Sequence, residues 1–425
     1  MRAYVLHPDL RSADARDPEL ALEEACNLTE ALDELELAGA EVVLLRQPRA
    51  GTLFGDGKLE ELKSTFEEKE IEIVIIDGLV SPIQQRNLER YWKVKVLDRT
   101  GLILEIFGAR AQTREGVLQV DLAHLTYQKS RLVRSWTHLE RQRGGTGFMG
   151  GPGETQIEAD RRAIDEHITR LKRQLAKVVR TRELHRKSRK KVPYPIVAFV
   201  GYTNAGKSTL FNRITGADVM AKDMLFATLD PTMRAVTLPT GEKVILSDTV
   251  GFISDLPTQL VAAFRATLEE VLSADLVVHV RDISHPQTQE QAQSVRGVLR
   301  DLDLPEDSIA GMLEFRNKVD RLPEAEQAAV RLTASRDPLV IAGSAARGDG
   351  IDDLLAEISE RLAEPTTSER LHVGFGQGAA LAWLHRRKLI EHQEPNENGM
   401  AVDVTWSDKH RQQFLKEFQG SLRQG

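Results

Sequence analysis

The sequence predicts an α/β protein: a small parallel α/β domain carrying a long helical hairpin, then a larger α/β domain, then a small α+β tail. Three observations predict it. Short β-branched runs alternate with helix-period stretches over residues 1–108, and again over 196–361. Between these regions, two long helical patterns enclose one glycine-rich loop, as in an antiparallel helical hairpin. The last sixty or so residues read as a helix, a hairpin and a final helix. A chain of 425 residues is also too long for one compact core.

In residues 1–108 the strand candidates are Ala3–Leu6, Glu41–Leu45, Ile71–Ile76 and Val94–Leu97. Glu19–Ala38 has apolar residues at three- and four-residue spacing and predicts a helix between the first two. Gly55-Asp56-Gly57-Lys58 resembles a truncated phosphate loop. It lacks the first glycine and the Ser/Thr after Lys, so it predicts a turn opening a helix over Leu59–Glu70 rather than a second ATP site. The hairpin occupies 109–191: helix from Ala109 to about Leu139, the glycine-rich loop Gly144–Gly153, and helix from Glu154 to about Lys191. Thirty helical residues rise about 45 Å, which would hold the loop far from the body. Pro193 and Pro195 mark the boundary to the larger domain, 192–363. Pro365 to Ser368 reads as a linker. The tail, 366–425, then reads as a helix from Leu371, a hairpin through Asn396-Glu397-Asn398-Gly399, and a last helix.

Composition excludes several classes. No uncharged apolar run reaches the roughly 18 residues that would span a bilayer. The first ten residues lack the basic start and apolar stretch of a secretory signal. One cysteine, Cys26, rules out a disulfide framework and points to a reducing cytoplasm; no histidine pairing suggests zinc. Net charge is −7, but residues 129–191 hold 18 Lys/Arg against 7 Asp/Glu, a local +11 that leaves −18 for the rest. A nucleic acid would therefore be met mainly by this segment.

The chemistry concentrates in 192–363. The apolar strand Ile196–Val200 runs into Gly201-Tyr202-Thr203-Asn204-Ala205-Gly206-Lys207-Ser208, then a helix start at Thr209. This is G-x-x-x-x-G-K-S between strand and helix, where bent backbone can turn successive N–H groups toward phosphates. Lys207 can sit between the β- and γ-phosphates, and the Ser208 hydroxyl can bind Mg²⁺. The next strand ends in Asp248-Thr249-Val250-Gly251-Phe252. Asp248 can hold Mg²⁺ through water, and the Gly251 N–H can sense the γ-phosphate. In Phe226-Ala227-Thr228-Leu229-Asp230-Pro231-Thr232, a threonine is expected to complete the Mg²⁺ shell. Thr228 is the first choice and Thr232 the second. In Asn317-Lys318-Val319-Asp320, the Asp320 carboxylate can accept from guanine N1–H and the 2-amino group, which adenine cannot offer. Asn317 can tether neighbouring loops, and the Lys318 stem can cover the base. Gly343-Ser344-Ala345 can bring backbone N–H to guanine O6, although Ala346 stands where a basic residue is more usual. The expected catalytic set is Lys207, Thr228, Gly251 and Asn204, the last as a candidate for seating a monovalent cation such as K⁺. Phe252 cannot orient water, so turnover would need a borrowed element. These motifs make the larger domain a P-loop GTPase domain with GTP/GDP and Mg²⁺ as its expected ligands.

With them in place, the chain resembles the HflX family of translational GTPases. The resemblance rests on Ser81-Pro82-Ile83-Gln84-Gln85-Arg86-Asn87-Leu88, Asp98–Phe107, Thr113-Arg114-Glu115-Gly116, Leu118-Gln119-Val120, the segment Gly151-Pro152-Gly153-Glu154-Thr155-Gln156, Asp160-Arg161-Arg162 and Phe226–Asp230. It covers roughly 50–360 and matches least over Leu371–Gly425. It implies a protein that binds the large ribosomal subunit and splits idle or stalled 70S ribosomes under stress; a cytoplasmic monomer is expected. The +11 hairpin suits rRNA phosphates. Two alternatives stay open: an assembly GTPase of the immature large subunit, and a nucleotide-gated rRNA-binding protein with little turnover. Arg281 and Arg316 sit where apolar residues are more usual.

Overall fold

The computed structural model describes residues 1–11, 16–142, 152–189, 194–217, 226, 232–254, 271–363, 366–396 and 398–418. They form two compact units, Met1–Glu357 and Ile358–Gly425.

The first sheet contains β1 (Arg2–Asp9), β2 (Glu36–Leu44), β3 (Ile73–Ile76) and β4 (Lys95–Asp98), all parallel, in the order β2-β1-β3-β4. Helices α1 (Pro18–Glu30), α2 (Asp56–Glu68), α3 (Pro82–Trp92) and α4 (Arg99–Arg110) alternate with the strands. Caps set the helix starts. Asp17 accepts from Glu19 and Leu20 N–H, Ser81 and Gln84 form a reciprocal capping box, and Asp98 accepts from Gly101 N–H. Strand order reverses between β1 and β3, which opens a crevice at their carboxyl ends.

Three local readings are corrected here. The helix expected over Glu19–Ala38 stops at Glu30, and Glu36–Ala38 belong to β2, where Glu36 and Leu37 lie opposite Arg2 and Ala3 of β1. Helix-forming residues are drawn into a strand because the parallel ladder satisfies their backbone and pays no turn cost beyond Ala31–Leu35. The helix expected from Ala109 is broken at Ala111–Thr113. There the Thr113 hydroxyl accepts from Gly116 N–H and caps a new helix, α5 (Arg114–Gln142). The helix expected from Leu59 begins at Asp56, and Lys58 is held by Glu41 and Glu61.

α5 packs along α6 (Pro152–Arg189). The root of this pair is fixed at Asp98, which accepts from Gly101 N–H at 2.8 Å, from the Tyr127 hydroxyl at 2.5 Å and from the Arg131 guanidinium. Arg131 also stacks over the Tyr127 ring. The glycine-rich loop through Gly151 lies outside the described residues.

The second sheet contains β5 (Ile196–Val200), β6 (Thr232–Thr237), β7 (Lys243–Asp248), β8 (Leu276–Asp282), β9 (Leu313–Asn317) and β10 (Val340–Ala342), in the order β10-β9-β8-β5-β7-β6. β6 alone among them runs antiparallel to its neighbour. β5 is central and buried on both faces, which explains its unbroken apolar run. Arg281 and Arg316 are adjacent on β8 and β9, and both donate to the buried Glu314 at 2.8 Å. The two unusual cations therefore compensate one buried carboxylate.

In the second unit, β11 (Thr366–Gly374), β12 (Ile390–Asn396) and β13 (Gly399–Ser407) form an antiparallel sheet in the order β11-β13-β12. Trp383, Leu384, Val402, Val404, Trp406 and Phe414 make its core. The expected linker through Ser368 and the helix expected from Leu371 are both overturned. Thr366–Gly374 is one strand, its whole length paired with β13. A partner strand thirty residues away determines that outcome, and local periodicity cannot register it.

Candidate nucleotide-binding site

The loop Gly201–Ser208 joins β5 to α7 (Lys207–Thr215) at the carboxyl edge of the second sheet. Gly206 has φ +93°, and a Cβ there would fall 2.2 Å from Asn317 Nδ2, so no other residue fits. Asn204 also lies in the left-handed region, at φ +58°, which asparagine tolerates better than most residues; it is exposed. Thr203 and Ala205 are buried, and Thr209 lies in the first turn of α7. The start of α7 presents N–H groups suited to an anion.

Lys207 is buried, and its ammonium donates to the carbonyls of Gly201 (3.1 Å) and Tyr202 (2.8 Å). Burial pushes its pKa down to about 8; Asp248 draws it back up and Lys318 pushes it lower. Ser208 Oγ donates to Asp248 Oδ2 at 2.7 Å, so a hydroxyl and a carboxylate of the kind that hold Mg²⁺ stand together at the loop mouth. Thr249 donates to Phe199 O at 2.6 Å and fixes the segment after β7, in which Val250 is buried. Gly251 presses on the loop: a Cβ there would lie 2.8 Å from Thr203 Cγ2 and 2.9 Å from its Cα. Ala227 and Thr228 lie outside the described residues. Thr232, the second choice, opens β6 directly opposite Asp248.

Asn317 ties the site together. Its Nδ2 donates to Ala205 O and its Oδ1 accepts from Ala345 N–H, both at 2.8 Å, linking the loops that follow β5, β9 and β10. Lys318 has φ +63° and pairs with Asp282 at 2.8 Å, so its stem is aligned along the loop. Asp320 lies in the single turn Val319–Arg321, with Arg347 Nε 4.0 Å from its carboxylate. A cation thus stands one residue beyond Ala346, where the sequence lacked one. Ser344 N–H donates to Asp349 O, and its hydroxyl accepts from Arg347 N–H.

Sequence reasoning named Phe226, Phe252 and Tyr202 but missed the contacts they make. Phe252 is 2% exposed and Ile253 1%; both belong to a core shared with Leu102, Ile103, Phe107, Val120 and Ala123 of the first α/β region and hairpin. Phe226 packs edge-on against Phe107, with ring centroids 4.6 Å apart, a contact of about 0.5–1.5 kcal/mol. Phe226 has φ +58°, an unfavourable value for an aromatic residue that this packing sustains. The Tyr202 side chain also leaves the loop to meet Glu24 of α1. One signal was present: a phosphate loop uses its backbone at this position, so a bulky tyrosine there needs a separate reason.

Four family profiles match successive parts of the chain. They are described as GTP-binding GTPase N-terminal (19–108), GTP-binding GTPase middle region (110–189), 50S ribosome-binding GTPase (196–310) and HflX C-terminal domain (329–419). The chain is 52% identical over 356 residues to GTPase HflX of Magnetococcus marinus, covering 84% of this chain and 81% of that one. It is 43% identical over 354 residues to GTPase HflX of Escherichia coli, covering 83% and 82%. Among solved structures, a complex of SsGBP with GDP aligns with a TM-score of 0.50 at 25% identity, over 85% of this chain and 98% of that one.

Proposed function

The chain belongs to the HflX family of GTPases, and from that premise we propose that it binds the large ribosomal subunit and uses GTP to split idle or stalled 70S ribosomes. The observation that carries the ribosomal reading is the +11 segment 129–191, continued from a stretch of α5 whose Val120 and Ala123 share one core with Tyr202 and Phe252 of the nucleotide site. Polyanion affinity grows with the number of phosphates neutralised, and this segment holds a net positive charge against −18 over the rest of the chain. A cytoplasmic, monomeric protein acting through this hairpin is the reading that fits; among the described residues no helix is long and apolar enough to cross a membrane.

The residues have the following proposed roles. Successive N–H groups of Gly201–Ser208 and the start of α7 surround the phosphates, and Lys207 neutralises charge between β and γ. Ser208, Asp248 and Thr228 would hold Mg²⁺, which would supply further charge neutralisation there. Gly251 N–H reads the γ-phosphate. Asp320 selects guanine, Asn317 keeps the three loops in register, and Ser344 and Ala345 close the base site. Phe252 is committed to the shared core, so the water-orienting or charge-stabilising element comes from outside the loop, from the ribosome or from a cation held near Asn204.

The test is a sucrose-gradient profile of purified 70S ribosomes with the protein and a non-hydrolysable GTP analogue. Separation into subunits supports the proposal. Binding to 50S that leaves 70S intact would replace it with the assembly reading. Turnover unaffected by 50S subunits would favour the nucleotide-gated binding module.

A further inference from the structure

In open α/β sheets the crevice where strand order reverses is the usual ligand site. In the first sheet that crevice lies beyond the carboxyl ends of β1 and β3, and it holds His7, Glu24, Asp77 and Arg99. Arg99 is 4% exposed and Asp77 6%. Arg99 Nη1 donates to Asp77 Oδ1 at 2.6 Å, and His7 Nδ1 lies 2.8 Å from Asp77 Oδ2. Arg99 Nη2 donates to Glu24 Oε2 at 3.0 Å, and Arg16 reaches the same oxygen at 2.5 Å.

Two groups from the other α/β region complete this cluster. Arg99 Nη2 also donates to the Ser254 carbonyl at 3.0 Å, and the Tyr202 hydroxyl donates to Glu24 Oε1. The same hydroxyl accepts from Ser254 N–H at 2.8 Å and lies 2.7 Å from Ser254 Oγ. Burial, then the Glu24 charge and hydrogen bond, hold this phenol well above its ordinary pKa, so it remains the donor. Ser254 is thus gripped at its N–H by Tyr202 and at its C=O by Arg99. Two residues earlier, Phe252 N–H donates to Gly201 O at 3.1 Å and Phe252 O accepts from Thr203 N–H at 2.7 Å. Gly251, between these ties and Asp248, has little freedom to move relative to the phosphate loop.

We propose that this crevice takes the edge of the nucleotide site as its ligand, and that Glu24, Arg99 and Tyr202 are positioning residues that fix Gly251 where its N–H meets a γ-phosphate. The inference rests on the reading of Gly201–Ser208 as a guanine-nucleotide site. GDP carries no γ-phosphate, so the clasp stabilises the GTP complex selectively. A hydrogen bond to a charged group contributes about tenfold in affinity.

The experiment measures the affinities of GDP and of a non-hydrolysable GTP analogue for full-length wild type, Glu24→Ala, Glu24→Gln, Tyr202→Phe and the Glu24→Ala/Tyr202→Phe double variant. In Glu24→Ala, Arg99 retains Asp77 and the Ser254 carbonyl as partners. This variant is expected to lower analogue affinity about tenfold and GDP affinity less than twofold. Tyr202→Phe is expected to lower the analogue-to-GDP affinity ratio by a similar factor, with no further fall in the double variant. Glu24→Gln keeps an acceptor for the phenol and is expected to restore most of the ratio. Equal analogue affinity in wild type, Glu24→Ala and Tyr202→Phe would overturn the inference, as would parallel losses for both nucleotides in both variants. A wild type that binds neither nucleotide would overturn the site reading together with this one.

Discussion

Both sheets of the larger unit present a crevice at the carboxyl ends of parallel strands, one beyond β1 and β3 and the other at β5. The second is lined by backbone. Glycines at 201, 206 and 251 keep side chains out, and one asparagine, Asn317, holds three loops apart at fixed spacing. The first is lined by side chains whose charges already meet: Arg99 against Asp77 and Glu24, and His7 against Asp77. One topology thus yields either a receptor or a contact. A helix start and absent Cβ atoms leave room for an outside polyanion, whereas paired long side chains fill the same space and admit only a matching protein edge.

That contrast can be broken at four points, in decreasing order of effect. In the backbone-lined crevice, specificity resides in hydrogen bonds to the ligand, so Asp320→Asn should cost about 10⁴-fold in GTP affinity. The same variant should gain affinity for xanthosine nucleotides; titration with both is the check, and undiminished GTP binding would remove Asp320 from base recognition. In the side-chain-lined crevice, the loss should appear as stability instead. Arg99→Ala removes the guanidinium shared by buried Asp77 and half-buried Glu24, leaving them His7 and Arg16, and should destabilise the larger unit by about 3 kcal/mol, read from the urea midpoint at constant m. A shift below about 1 kcal/mol would mean that the Asp77–Arg99–Glu24 cluster is not the anchor described.

A third test uses pH. His279 on β8 is buried, with Nδ1 unpartnered, and burial pushes its pKa down to about 3 despite the attraction of Glu314. The folded state then binds fewer protons than the unfolded state between about pH 6.5 and 3, so stability falls as pH drops through that window. Glu314 adds to the same limb. Burial raises its carboxyl, but hydrogen bonds and charge from Arg316 and Arg281 outweigh this and lower it. Its contribution is present above the usual carboxylate pKa and is lost on acidification. His279→Leu should flatten the limb by about 2 kcal/mol at pH 5, measured as the difference in unfolding free energy between pH 7 and pH 5. An unchanged slope would show that His279 is protonated in place.

The smallest effect concerns Asn204. If its exposed side chain helps seat a monovalent cation, single-turnover hydrolysis should run on the order of threefold faster in KCl than in NaCl at equal ionic strength, about 0.7 kcal/mol of barrier. Asn204→Ala should abolish that advantage. An advantage that survives the substitution would move the cation elsewhere in the loop.

The backbone-lined crevice was the more legible of the two. A site made of glycines, one lysine and short polar residues at fixed spacing writes itself into a continuous string, and Gly201–Ser208, Asp248–Gly251 and Asn317–Asp320 fall together at one sheet edge. The side-chain crevice draws on positions 7, 24, 77, 99, 202 and 254, no two of them adjacent, and no local pattern can expose a charge cluster so dispersed. The same principle explains the strand errors. β11 and the start of β2 are defined by partners far along the chain, whereas the buried run of β5 carries its own signal.

The hairpin root has a mechanical consequence. Asp98 caps α4 and also clamps α5 through Tyr127 and Arg131, while α4 carries Phe107 to its contact with Phe226 beside the phosphate loop. One twelve-residue helix is therefore the axle between a nucleotide-side contact and an arm whose second helix meets α5 at Lys129–Asp165, ~36 Å of rise from its Arg189 end. Rotating that axle by about 5° would sweep the Arg189 end of α6 through about 3 Å, while the Lys129–Asp165 pair beside the root moves little.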